Sequence, residues 1–136
     1  MTKLPIPYEV LQVEVQNLNR VQWAHLTDNF LWYSVRDGSR AGDNDVRYSV
    51  DPNSTADWAV VAQNAATCAK VCREAGLKGF MMDTEMYTNY EAGELYPFGR
   101  GTPEVWRKRG TVWMRAVQAE YPAIKILLFF SWGPGT

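Results

Sequence analysis

Histidine is nearly absent from this chain, cysteine is scarce and neither sign of charge dominates: 136 residues include one His, two Cys, 14 Lys and Arg, and 15 Asp and Glu. Each shortage excludes something. With His25 as the sole imidazole, a zinc site built from His and Cys lacks ligands. Cys68 and Cys72 stand one helical turn apart, where a disulfide would be poorly placed and would close almost no loop. Both are read instead as small core residues. A formal charge of −1, with acids and bases interspersed, offers no basic face for phosphates and predicts no nucleic-acid partner. Apolar runs fall well short of the ~20 residues that span a bilayer, and "MTKLPIPYEV" has no signal-peptide core. No membrane partner is predicted. The chain as it stands reads as cytoplasmic, or as exported if a leader precedes it in a longer gene. Nucleotide signatures are missing as well: there is no GxGxxG after a strand, no GxxxxGK[ST] and no GxSxG elbow. The acidic run "DGSRAGDND" lacks the ligand spacing and bidentate Glu of an EF-hand calcium loop. Neither a cofactor nor a resident metal is predicted.

What the chain does have is aromatic and apolar mass. Six Trp, seven Tyr and five Phe within a 46% hydrophobic composition suffice for one domain with a real core. The clearest element is "TADWAVVAQNAATCAKVCREA", residues 55–75. Trp58, Val61, Ala65, Cys68, Cys72 and Ala75 step by three and four, which lays one apolar stripe along a helix. Ser54 with Asp57 forms a capping-box pattern at its start, and Gly76 stops it. A strand follows, from about Lys78 to Asp83. A second helix begins with Thr102 as cap and Pro103 at its first position. It runs through Val112, Trp113, Ala116 and Val117 and stops at Tyr121-Pro122. Ile126 to Phe130 is almost continuously apolar, as in a parallel strand buried on both faces. An earlier strand is predicted near Val21–Leu26, running out at Asp28. The first twenty residues fit strand or helix, with the alternation in "EVLQVEVQ" favouring strand.

Strand, helix, strand, helix, strand is the order of a parallel βαβαβ segment. Two long polar connections, "RDGSRAGDNDVRYSVDPNS" and "TNYEAGELYPFGRG", leave the C-terminal ends of its first two strands. In parallel α/β folds that edge carries the sites. A full (β/α)₈ barrel needs about 200 residues or more. Residues 1–136 are therefore expected to form a single α/β domain that is part of such a barrel, a fragment of a longer protein. Exposed sheet edges would then favour self-association.

The chemistry is expected in "GLKGFMMDTEMY", residues 76–87. In a strand Asp83 and Glu85 share one face, their Cα atoms roughly 6–7 Å apart. Like charges at that spacing, backed by an apolar strand, raise one carboxyl's pKa and leave the other ionised. Asp28, Asn29, Trp32, Tyr87, Tyr90, Glu91 and Trp132 are predicted at the same edge. Carboxylates among aromatic rings suit a carbohydrate substrate: rings give flat apolar platforms, and paired carboxyls do acid/base work at a glycosidic bond.

The run "GFMMDTEMY" resembles the strand signature of family-18 glycoside hydrolases, in which a glycine precedes alternating acids ending in Asp-x-Glu. Gly79, Asp83 and Glu85 fall into register with it, over about nine residues. Met81 departs from the pattern, standing where the family usually carries a further Asp, and Met86-Tyr87 stands where an aromatic often follows. The longer arrangement "NAATCAKVCREAGLKGFMMDTEMY" with "RGTVWMRAVQAEYPAIKILLFFSW" is similar to TIM-barrel proteins described as glycoside hydrolases. The resemblance implies a barrel, a carbohydrate substrate, Glu85 as general acid and Asp83 as its substrate-orienting partner. Two other readings stand beside it. One is a non-catalytic carbohydrate-binding or degenerate barrel. The other is a metal-dependent hydrolase using Asp28, Asp83 and Glu85 as oxygen ligands, although such enzymes usually recruit histidines.

Overall fold

A computed structural model describes residues 3–34, 50–83 and 101–129. Six elements follow in order: α1 (Tyr8–Asn19), β1 (Phe30–Ser34), α2 (Thr55–Glu74), β2 (Gly79–Asp83), α3 (Pro103–Glu120) and β3 (Lys125–Phe129). The strands form one parallel sheet in the order β1-β2-β3, with Leu31 beside Phe80 and Phe80 beside Ile126. The expected mixed α/β chain with a parallel βαβαβ core is present. Among the described residues, no helix is long and apolar enough to cross a membrane.

Local chemistry sets the boundaries of α2 and α3. Ser54 Oγ accepts the Asp57 amide at 3.1 Å, while the Asp57 carboxylate turns outward and accepts the amide of Asp51 at 3.1 Å. The cap is thus one-sided, and the acid braces the preceding turn. At the other end Gly76 takes φ 68°, the Leu77 amide bonds the Cys72 carbonyl at 2.8 Å and the Gly76 amide bonds that of Arg73 at 3.3 Å. This pair of bonds is a Schellman closure. For α3, Thr102 Oγ1 accepts the Val105 amide at 3.4 Å, with Pro103 in the first turn.

The core lies between the sheet and α2 with α3. Phe80, Ala65, Ala69, Cys72 and Val117 are wholly buried. The Tyr33 and Phe80 rings stack at 5.0 Å between centroids, and both meet Trp113 of α3, at 5.8 Å and 6.0 Å. Cys72 donates to the Gly79 carbonyl at 3.4 Å, joining α2 to the same side of the sheet. Both crossover helices therefore cover one face.

Three expectations are corrected. The first twenty residues hold a helix, because Tyr8, Leu11, Val15 and Leu18 form a stripe that docks on the core, and burying that stripe outweighs local alternation. Its approach is fixed by Asn64 of α2, which accepts the Ile6 amide and donates to the Leu4 carbonyl, both at 2.8 Å. The first strand is Phe30–Ser34 rather than Val21–Leu26. The latter stretch turns twice, through bonds from Ala24 to Gln22 and Leu26 to Trp23, and Val21 and Leu26 are exposed. Aromatic residues suit a pleated, half-buried surface, and "FLWYS" wins the pairing with β2. Finally, β3 is not covered on both sides, since Leu127 and Leu128 are 48% and 57% exposed.

Candidate functional site

Alternation along the strands assigns side chains to two faces. Tyr33, Phe80 and Met82 turn toward the helices. Their neighbours Trp32, Met81 and Asp83 share the opposite face with Leu127, through the registers Trp32–Met81–Leu127 and Ser34–Asp83–Phe129. Trp32 is 61% exposed there, yet Asp83 is only 7% exposed. A buried carboxyl thus closes the C-terminal end of the middle strand, next to a free apolar surface. In parallel α/β folds that strand end is where sites are built, which makes Asp83 the candidate site residue among the described ones.

The other predicted residues scatter. Asp28 and Asn29 precede β1 and stand at the N-terminal edge of the sheet, not beside Asp83. Their roles there are structural. The Asn29 carbonyl accepts the Lys78 amide at 2.7 Å, opening the ladder, and Asp28 lies 3.6 Å from the Lys78 ammonium. With β1 beginning at Phe30, an acid two residues earlier falls at the end of the sheet opposite Asp83. Asp28 and Asp83 therefore stand at opposite ends of the sheet, and no metal-ligating cluster occurs among the described residues. Trp32 belongs to β1 rather than to a loop. Its neighbour Tyr33 is a core residue. Glu85, Tyr87, Tyr90, Glu91 and Trp132 lie outside the described residues.

No protein-family model, curated protein or solved structure matches the chain.

The thiols take no part in it. Burial pushes Cys68 up to about 11 and Cys72 up to about 12, so neither is a thiolate near neutrality, and nucleophilic cysteine chemistry is disfavoured. The Tyr33 phenol, also pushed up to about 12 by burial, accepts the Trp113 indole N–H at 3.4 Å on the helix side. Two buried polar residues were missed because residue type argues against burial. Asn64 sits in the apolar stripe of α2, and Arg109 is 7% exposed within α3. Residue type marks a long basic side chain such as Arg109 as solvated, but its spacing, four and eight residues before the buried Trp113 and Val117, puts it on the inward face of α3, unlike the exposed Arg107 and Lys108.

Proposed function

We propose that this chain is part of a (β/α)₈ barrel that cleaves a glycosidic bond in a carbohydrate, with Glu85 as general acid and Asp83 as its partner. The observation that carries the reading is the position of Asp83: buried, at the C-terminal end of the middle strand, on the face the helices leave open. Helices on one side only support a barrel over a doubly wound sheet, in which helices cover both faces. Asp-x-Glu spacing then supports Glu85 at the barrel mouth, two residues beyond the strand end.

In this mechanism Glu85 gives its proton to the glycosidic oxygen as the bond to the anomeric carbon breaks, and water supplies the replacing hydroxyl. Asp83 serves as the neighbour of Glu85 in the site and as an acceptor for a substrate N–H or O–H. Trp32 offers a flat apolar platform on the same face. Tyr87, Tyr90, Glu91 and Trp132 complete the proposed sugar-binding set.

Kinetics on the intact protein test this directly. Glu85→Gln keeps size and polarity but has no proton to give. It is expected to lower kcat by a factor of at least ~10² while oligosaccharide binding persists. Asp83→Asn should also slow turnover and shift the acidic limb of the pH–rate profile. Unchanged activity in Glu85→Gln ends the assignment. Binding without turnover in the parent protein points to a carbohydrate-binding barrel instead.

A further inference from the structure

The two long connections leave β1 and β2 at the end of the sheet where Asp83 lies, and return at residues 50–54 before α2 and at Gly101-Thr102 before α3. Arg109, two turns into α3, does not serve its own helix. Its Nε donates to the Pro52 carbonyl at 2.8 Å and its Nη2 to the Asn53 carbonyl at 3.1 Å. Both acceptors belong to the return of the first connection, whereas α3 is launched by the second. The guanidinium also lies over the Trp58 ring, 5.9 Å from its centre, and Trp58 meets Trp106 edge-on at 5.9 Å. Gly101 completes the cluster: a Cβ there would come within 2.8 Å of Trp106 Nε1 and 3.3 Å of the Pro52 side chain. The two returning ends therefore touch each other and share one buried cation.

That cation has few alternatives. Among the described residues no carboxylate pairs with Arg109, so two backbone carbonyls and an indole face satisfy it. A buried charge that lost those carbonyls would be strongly disfavoured. The fork geometry matters as well, since it bonds two successive carbonyls at once and an ammonium presents no such planar pair of donors. We infer that Arg109 is a positioning residue that locks the returning ends of the two connections together, so that residues 50–54 and the start of α3 at Gly101-Thr102 shift as one unit. The inference rests on this geometry alone and survives if the glycosidase reading fails.

Amide hydrogen exchange on the full chain tests it. Ser54 donates to the Asp51 carbonyl in the first return, while the amides of Val105 and Trp106 are bonded to Thr102 at the start of α3. Arg109→Lys should raise exchange at Ser54 and at Val105 and Trp106 together, by about 10-fold, with the β2 amides of Gly79–Asp83 unchanged. Gly101→Ala, entering from the second return, should raise exchange at Ser54 as well as at Val105. A rise confined to residues 50–54 in Arg109→Lys overturns the coupling, and so does an equal rise through β2. Should Arg109→Lys fail to fold, Gly101→Ala decides alone: unchanged protection at Ser54 refutes the lock.

Discussion

Tyr33, Cys68 and Cys72 hold their protons in the folded chain because burial penalises their charged forms. The consequence for stability has a definite sign. Unfolded, the thiols titrate near 9.0 and the phenol near 10.0; folded, they titrate near 11 or 12. Between those values the native state binds more protons than the unfolded state, so stability falls as pH rises. Their contribution is whole below about pH 9 and is lost as pH passes through the folded values. Each proton fully retained by the native state alone steepens the loss by about 1.4 kcal/mol per pH unit. Urea unfolding midpoints followed from about pH 8 to pH 11 should decline. Tyr33→Phe with Cys72→Ala should flatten that decline, whatever its cost at pH 8. A parallel decline in both proteins would place the alkaline sensitivity elsewhere. These residues also mark how far single positions could be read. The stripe in "TADWAVVAQNAATCAKVC" placed Cys72 correctly, because helical period and cysteine's preference for burial agree. Asp83 was legible from the alternation of one strand. The burial of Tyr33 was not legible, because its partners Phe80 and Trp113 are distant in sequence.

Two glycines show how the elements end and meet. Gly76 takes φ 68° with open space where a Cβ would go, while Gly79 takes φ 152° with its Cβ position overlapping the Lys125 carbonyl. Their substitutions should therefore separate. Gly76→Ala carries only the left-handed backbone penalty, about 1 kcal/mol. Gly79→Ala adds a clash with backbone at the start of the β2–β3 ladder, and should cost at least ~2 kcal/mol. Denaturant titrations of both variants measure the difference, and equal losses would mean that β3 yields freely at Lys125. Sequence showed Gly76 as a stop because it follows a long apolar period, but the need for Gly79 comes from a strand 46 positions away. The same contrast governs the elements. The α2 and α3 helices were legible from caps, period and terminators, all local. The α1 helix was not, since its residues satisfy both periods and only docking against α2 chooses. Strand β1 was misplaced for a related reason: its aromatic residues become a strand by pairing with β2, which no local pattern reports.

At the scale of the whole molecule, the described helices cover one side of the sheet and leave apolar side chains exposed on the other. Trp32 and Leu127 are 61% and 48% exposed on the open face, and Leu128 is 57% exposed on the helix side of β3. Among the described residues, no further strand pairs with the outer edge of β1 or of β3. Five residues by three strands make a face of roughly 16 by 14 Å, too small alone for the ~800 Å² per partner of a stable complex. Edges must therefore contribute if the chain associates with itself. Both edge strands invite this, since "FLWYS" and "KILLF" contain no proline and only one charge, Lys125, to discourage pairing. A net charge of −1 supplies almost no repulsion between copies. The isolated chain should accordingly show a sedimentation coefficient that rises with concentration across about 1–100 µM, the range in which exposed strands associate. Trp32→Lys with Leu127→Lys should shift it toward monomer by placing charge on the shared surface, without lowering the unfolding midpoint, because neither side chain is in the core. A wild-type chain that stays monomeric at the top of that range and melts sharply would contradict this account. Its open face would then be satisfied within the chain, as in a self-contained α/β fold rather than a barrel segment.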